Sequence, residues 1–289
     1  MNSSAITVLE SAPFAFIRKM ASYLRNKWYN SSANREAKRL APAKVVQARQ
    51  FISYLNFHGS FRQSGDELLF NFKAGFSLYC RPADIGAVSE TCITEDYQKI
   101  PGLALGHGQT VFDIGAHIGS FSIYAAAKGC RVYAFEPEPE NYRRLVRNIK
   151  LNHFENLVTP LNYGIFSRED KVNFSPSSSG TAVGTVSQLG FASGPQQEGL
   201  MIEVKTLGRA CDDLGIKNID LIKMDIEGSE YEIFKSLSAT DYDKIRGIVG
   251  EYHLNYKNRD QSFGVIYSML KTHFHQVGYY SPYYFFAIK

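Results

Sequence analysis

Residues 111–121, VFDIGAHIGSF, decide the fold of this chain. The segment begins with two apolar residues that predict a short buried strand, and Gly115 and Gly119 then allow the backbone to turn tightly. Residues 120–128 predict a helix that ends at Gly129. The segment therefore predicts a strand, a glycine turn and a helix whose first amides can bind a carboxylate or a phosphate.

The same alternation of strand, turn and helix continues towards the end of the chain. Strands are predicted at 132–135, 219–224 and 245–249, and helices from Glu138, from Ser229 and over 263–274. Strands that alternate with helices at this spacing form a parallel sheet with both faces covered. The sequence therefore predicts an α/β protein with a mostly parallel sheet and a surface loop over 175–199.

The residues before this α/β region carry most of the positive charge. Residues 1–50 contain nine Lys or Arg and two Glu, so their formal charge is +7. The whole chain has a formal net charge of +4, so the other 239 residues sum to −3. Apolar residues at three- and four-residue steps within 14–28 predict a basic amphipathic helix. It packs on the body of the protein, mediates self-association, or lies on an anionic membrane surface.

A turn near 58–64 and a β-hairpin over 68–81 come next. We therefore divide the chain into a basic helical extension over 1–60 and one α/β domain over 61–289.

Cysteine spacing and apolar runs limit the class of protein. The four cysteines are widely spaced and form no CxxC pair, which predicts neither a disulfide framework nor a structural zinc site. The sequence contains no run of about 18 apolar residues and no secretory signal at its start. We expect a reduced, cytoplasmic protein that is soluble or attached peripherally to a membrane.

Acidic residues follow the predicted strands, where doubly wound sheets bind their ligands. Asp113 ends the first strand, and Glu136 follows the second strand, where an acid can accept both hydroxyls of a ribose. Residues 115–119 carry Ala and His where a dinucleotide site needs its central glycine. The pattern favours S-adenosylmethionine (SAM), with Asp113 on its ammonium, the turn amides on its carboxylate and Glu136 on its ribose.

Four segments are informative together: VFDIGAHIGSF at 111–121, AFEPEPENY at 134–142, DLIKMDIEGSEYEIF at 220–234 and GEYH at 250–253. They resemble the FkbM-type family of class I SAM-dependent methyltransferases. The D-x-E-G-x-E pattern that begins at Asp225 is the family's most specific mark. The resemblance implies a Rossmann-like sheet of seven strands, a methyltransferase domain over 61–289, and O-methylation of a hydroxyl on a small molecule, glycan, glycolipid or polyketide.

The resemblance also implies a cofactor site at the ends of the strands. The residues expected to line it are Asp113, Gly115, Ala116, His117, Gly119, Glu136, Pro137, Asn141 and Asp225. The segment CRPADIGAVSETCITEDY at 80–97 resembles the family only loosely, so Arg81, Glu95 and Tyr97 are left unassigned.

The catalytic candidates lie after the later strands. His253 is the first candidate to remove the acceptor's proton, because imidazole titrates near neutral pH. Glu251, Asp225 or Glu227 would orient His253 or the substrate. Alternatively, Asp225 and Glu227 cap the helix that begins near Ser229.

Three other interpretations stand beside an O-methyltransferase. Asp225, Glu227, Glu251 and His253 could instead converge on a divalent metal that binds a sugar diol, although we expect none. A nucleotide-dependent oxidoreductase is disfavoured by the missing central glycine, and a SAM-binding scaffold without catalysis is disfavoured by the intact acids. We expect no specific nucleic-acid partner, because an Asn-Pro-Pro-Tyr-like motif is absent and acidic residues repel phosphates.

Overall fold

The computed structural model describes residues 59–93, 97, 100, 102–175, 185–186, 200–226, 228–251, 263–279 and 284–289. All of them belong to one compact unit, Gln47–Lys289. The predicted helix over 14–28 lies outside the described residues, as do Glu95, Glu227, His253 and nearly all of the predicted loop over 175–199. The boundary between extension and domain at residue 60 stays a prediction.

Strands and helices alternate through most of the described chain. The strands are β1 (Gly59–Ser64), β2 (Glu67–Phe72), β3 (Ser77–Cys80), β4 (Thr110–Ile114), β5 (Arg131–Phe135), β6 (Val158–Leu161), β7 (Gly164–Ile165), β8 (Asp170–Ser175), β9 (Thr185–Val186), β10 (Leu200–Lys205), β11 (Leu221–Met224), β12 (Gly247–Glu251), β13 (Gln276–Tyr279) and β14 (Tyr284–Ile288). The helices are α1 (Ile85–Cys92), α2 (Ser120–Ala127), α3 (Pro139–Leu151), α4 (Leu207–Leu214), α5 (Glu230–Ser236), α6 (Ala239–Lys244) and α7 (Phe263–Lys271).

A sheet of seven strands forms the centre of the fold, in the spatial order β13-β14-β12-β11-β4-β5-β6. The strands from β12 to β6 pair in parallel. Strand β14 runs antiparallel to both of its neighbours. The predicted mostly parallel, seven-stranded Rossmann-like sheet is confirmed.

The sheet is covered on both faces, because every residue of β11 and β12 is buried. Helix α2 packs against β4 and β5, and α3 packs against β6. The main core joins apolar residues of the sheet and helices, including Phe112, Phe135, Phe234 and Phe285. Continuous apolar runs in the sequence therefore mark strands buried on both faces.

A three-stranded antiparallel sheet, β1-β2-β3, precedes the main sheet. The predicted hairpin is confirmed as β2 and β3, which pair in antiparallel register. The predicted turn near 58–64 is wrong, because Gly59–Ser64 forms strand β1. Phe61 lies opposite Phe70 on β2 and stacks on it with the ring centroids 5.6 Å apart, and this cross-strand pair stabilises the added strand.

A second added sheet, in the order β7-β10-β8-β9, was not predicted. It has a small core of its own, formed by Phe166, Val172, Phe174, Ile202 and Val204. Thr206 then caps α4 by accepting a hydrogen bond from the amide of Arg209.

Among the described residues, no helix combines the length and the apolar character needed to cross a bilayer.

Candidate functional site

Four predicted site residues converge at the carboxyl edge of the main sheet. Gly115 follows β4, Glu136 follows β5, Asp225 follows β11, and Glu251 ends β12. These four strands are parallel neighbours, so their carboxyl ends meet at the same edge. This edge is the candidate site.

The turn between β4 and α2 depends on Gly115. Its φ of 80° lies in the left-handed region, and a Cβ at this position would lie 2.0 Å from the carbonyl oxygen of Asp225. The amides of Gly115 and Ala116 both donate to the carbonyl of Phe135, at 3.1 and 3.0 Å. A residue with a side chain at 115 would therefore push the turn away from β11.

Glu136 is buried beside this turn. Its Oε2 accepts a hydrogen bond from the amide of His117 at 2.7 Å, and its Oε1 accepts one from the amide of Glu138 at 2.9 Å. Burial raises the pKa of Glu136 to about 7. Each carboxylate oxygen keeps a further lone pair that can accept a ligand hydroxyl.

Pro137 and Asn141 flank this carboxylate. The side-chain amide of Asn162 donates to the carbonyls of Glu136 and Pro137, at 2.8 and 3.2 Å, which fixes the chain after β5. Asn141 is buried on α3 and donates to the carboxylate of Glu138. Both residues therefore lie at the same edge as Glu136, and their predicted contact with the cofactor stays a prediction.

Asp113 is fully buried beneath the glycine turn. Its Oδ2 accepts a hydrogen bond from the hydroxyl of Ser122 at 2.6 Å, and its Oδ1 lies 3.4 Å from the ammonium of Lys223. The carboxylate is thus held within the chain. The predicted contact between Asp113 and a ligand ammonium stays a prediction.

Lys223 connects the glycine turn with Asp225. Its Nζ donates to the carbonyl of Gly115 at 3.0 Å and lies 3.9 Å from Oδ2 of Asp225. Burial works to lower the pKa of Lys223, but the carboxylates of Asp113 and Asp225 outweigh it and raise the pKa above its ordinary value. Sequence reasoning missed this residue, although a lysine inside an apolar strand was a signal.

Asp225 is the more accessible of the two aspartates, with 19% of its side chain exposed. Its Oδ2 accepts a hydrogen bond from the hydroxyl of Tyr97 at 3.3 Å. The Tyr97 ring packs edge-on against Phe121 and Tyr284, at 5.8 and 5.4 Å between centroids. Burial raises the pKa of Tyr97, so its hydroxyl stays protonated and donates. Tyr97, unassigned from the sequence, therefore belongs to the site.

Of the three further catalytic candidates, Glu251, Glu227 and His253, only Glu251 lies among the described residues. Glu251 is buried at the end of β12, where it pairs in register with Tyr284 on β14. His253 and Glu227 lie outside the described residues, so the proposed grouping of His253 with the acids stays a prediction.

Arg81 and Asp84 reach the site from the segment between β3 and α1. Arg81 donates to both carboxylate oxygens of Asp84 and to Oδ1 of Asn141, the last at 3.0 Å. Nε2 of His117 lies 3.4 Å from Oδ1 of Asp84. Although burial opposes ionisation, hydrogen bonds from His117 and Arg81 lower the pKa of Asp84 to about 2. This cluster extends the site beyond the predicted motifs.

Metal ligation has little support in the part of the chain that the structure describes. No group of three or more His, Cys, Asp or Glu side chains could hold a metal ion there. Two of the four residues considered for a metal, Glu227 and His253, lie outside that part. The expectation of no metal therefore stays a prediction.

A family model and several known proteins match this chain. Residues 113–280, more than half of the chain, match the family model for the methyltransferase FkbM domain. Methyltransferase sdnD of Sordaria araneosa is 29% identical over 168 residues, which cover 49% of this chain and 65% of that protein. The 31-O-demethyl-FK506 methyltransferase FkbM of Streptomyces tacrolimicus is 24% identical over 197 residues, 60% of this chain and 74% of that protein.

The hexuronic acid methyltransferase AglP of Haloferax volcanii is also similar. It is 23% identical over 150 residues, which cover 52% of this chain and 58% of that protein. The chain thus spans less than two thirds of the length of sdnD and of AglP.

Proposed function

The chain belongs to the methyltransferase FkbM domain family, and from that premise we propose that it transfers a methyl group from SAM to the oxygen of a hydroxyl acceptor. The observation that carries this proposal is the convergence of the glycine turn, Glu136 and Asp225 at one edge of the sheet. The N-terminal end of α2 after the turn, a buried carboxylate and a partly exposed carboxylate match the three polar parts of SAM.

Unpartnered polar atoms test whether the site fits SAM. His117 and Ser120 are 7% and 5% exposed, and neither Nδ1 of His117 nor Oγ of Ser120 has a hydrogen-bond partner among the described residues. Buried polar atoms are costly unless they find a partner, so these atoms favour a polar ligand at the turn. The residues present fit a cofactor with hydroxyl, ammonium and carboxylate groups.

Each part of the cofactor has a proposed partner in the chain. Glu136 accepts hydrogen bonds from the ribose hydroxyls, and the amides at the N-terminal end of α2, which begins at Ser120, bind the carboxylate. Asp225 is more exposed than Asp113, so we propose Asp225, in place of the Asp113 predicted from the sequence, as the residue that binds the ammonium. When bound, SAM supplies a methyl group on a sulfonium that is already a good leaving group.

The chain's own residues have two tasks in the reaction. They hold the acceptor in line with the methyl group, and alignment alone can contribute about 7 kcal/mol or more. They also remove the proton of the attacking hydroxyl, a role we assign to His253. Tyr97 and Lys223 hold the carboxylate of Asp225 in place, where it binds the ammonium of the cofactor.

The acceptor is proposed to be a hydroxyl of a small molecule, glycan, glycolipid or polyketide. Two similar proteins are named for a 31-O-demethyl-FK506 substrate and for a hexuronic acid, and both names support an oxygen-rich acceptor.

The segment over 14–28 is proposed to attach the protein to a membrane surface or to a second copy.

Transfer of a deuterated methyl group tests this function. Incubation with methyl-deuterated SAM and a panel of sugar acids, glycolipids and polyketides is expected to add one deuterated methyl group to an acceptor hydroxyl, as read by mass spectrometry. Transfer only to nitrogen or carbon atoms would contradict O-methylation.

Binding of S-adenosylhomocysteine (SAH), the product left after transfer, is expected to weaken about tenfold between pH 8 and pH 6. Burial raises the pKa of Glu136 to about 7, so its carboxylate is mostly ionised at pH 8 and mostly protonated at pH 6. Ribose hydroxyls bind the ionised form, so affinity falls with pH. Calorimetric titration at both pH values measures the change.

The matched control is Glu136→Gln, which has no charge to lose. This variant is expected to bind SAH weakly, with no tenfold change between the two pH values. A pH dependence equal to that of the wild type would contradict the role of Glu136. The effect of Glu136 on folding has the opposite sign, because an acid with a raised folded-state pKa contributes stability that is lost as the pH rises through about 7.

A further inference from the structure

The imidazole of His117 has polar contacts at one ring nitrogen, and its other ring nitrogen has no hydrogen-bond partner among the described residues. Its Nε2 lies near the Asp84 carboxylate and the Arg81 guanidinium, at 3.4 and 3.5 Å. Its Nδ1 is buried and has no hydrogen-bond partner among the residues that the structure describes. The backbone of His117 has a φ of 53°, in the left-handed region.

The hydrogens of Arg81 decide which partner Nε2 has. The NH2 group of Arg81 has two hydrogens. It donates one to Oδ1 of Asp84 at 2.8 Å and the other to Oδ1 of Asn141 at 3.0 Å, both closer than His117. No hydrogen is left for Nε2, so Nε2 carries its own hydrogen and donates it to Asp84.

The tautomer follows from this contact. In its neutral form the imidazole has one N–H and one lone pair, and in that form a hydrogen on Nε2 makes Nδ1 an acceptor. Asp84 is itself almost fully buried and is locked by Arg81, so the carboxylate cannot turn away. The arrangement presents a buried acceptor next to the glycine turn.

We propose that Nδ1 of His117 accepts a hydrogen bond from the bound cofactor, and that Asp84 is the positioning residue that fixes the required tautomer. This inference rests on the proposed use of SAM. The donor on the cofactor is its ammonium or a ribose hydroxyl. The backbone amide of His117 donates a hydrogen bond to Glu136, the residue proposed to bind the ribose. The imidazole of the same residue therefore lies close to the proposed ribose site.

Two substitutions at His117 separate hydrogen bonding from backbone strain. Asn and Gly both tolerate the left-handed conformation, but only Asn keeps an acceptor atom on Cγ in the place of Nδ1. His117→Gly is expected to weaken SAH binding about tenfold, the value of one buried hydrogen bond, and His117→Asn by about threefold or less. Calorimetry gives the affinities, and thermal unfolding without ligand shows that both variants fold.

A second measurement tests Asp84 directly. In ¹⁵N NMR of the imidazoles, with the His117 signal identified by its loss in His117→Asn, the wild type is expected to show a hydrogen on Nε2. Asp84→Asn keeps the shape of the side chain and is expected to mix the tautomers and weaken SAH binding about threefold. In a His117→Gly background, Asp84→Asn should have no further effect on affinity.

Titration of 5′-methylthioadenosine locates the donor, because this ligand keeps the ribose and lacks the ammonium. If His117→Gly weakens both ligands, the donor is a ribose hydroxyl, and if it weakens only SAH, the donor is the ammonium. Equal SAH affinity in the wild type and His117→Gly would overturn the proposed role of His117 and would leave the proposed function intact. Failure of the wild type to bind SAH would instead overturn the proposed function.

Discussion

Gly115→Ala is expected to abolish SAH binding and to destabilise the fold by about 2–5 kcal/mol. The new Cβ would lie 2.0 Å from the carbonyl oxygen of Asp225, and the φ of 80° is strained for any residue with a side chain. Relief of this clash moves the turn away from β11 and separates its amides from Asp225. Urea unfolding measures the loss of stability, and calorimetry measures the loss of binding.

Gly75→Ala is the matched control for this substitution. Gly75 has a similar φ of 89°, but a Cβ there would meet no atom within 4 Å. This variant carries only the backbone strain, about 1–2 kcal/mol, and is expected to bind SAH like the wild type. Wild-type SAH affinity in Gly115→Ala would show that the turn does not hold the cofactor.

Lys223→Met is expected to destabilise the protein by about 3–5 kcal/mol, because it leaves the buried carboxylate of Asp113 without its cation. The ammonium also loses its hydrogen bond to the carbonyl of Gly115 and its contact with Asp225. SAH affinity is expected to fall as well, since the glycine turn and Asp225 both lose their contact with Lys223. Urea unfolding at neutral pH measures the first effect.

Two companion variants define the cause of this loss. Lys217→Met makes the same chemical change at an exposed lysine and is expected to shift stability by about 0.5 kcal/mol or less. Lys223→Met combined with Asp113→Asn removes the unpaired charge and is expected to recover part of the stability. If Lys223→Met is as stable as the wild type, the buried ion pair does not support the site.

Local pattern was sufficient to predict the elements that form the site. Strands β4, β5 and β11 are short, largely apolar runs in which most residues are buried, and each is followed by a glycine or an acid. In the structure these three strands are parallel neighbours in the order β11-β4-β5. The positions of Gly115, Glu136 and Asp225 at one edge therefore follow from sequence and general rules of α/β folds.

The contacts that support the site depend on residues far apart in the chain. Arg81 contacts Asn141, and Asp84 contacts His117, because the segment after β3 packs against the turn. The spacing of residues along the sequence does not predict that packing. The pairing of Lys223 with Asp113 depends on the register between β11 and β4, where these two residues lie opposite each other. Strand β1 was missed for a similar reason, because Phe61 finds its partner only on β2.

The central claim is that the carboxyl edge of the main sheet binds SAM. Calorimetric titration of the purified full chain with SAH and, separately, with NADH tests it most directly. We predict saturable binding of SAH with one ligand per chain, lost in Gly115→Ala, and no binding of NADH. Saturable binding of NADH without binding of SAH would contradict the claim and would favour a nucleotide-dependent oxidoreductase.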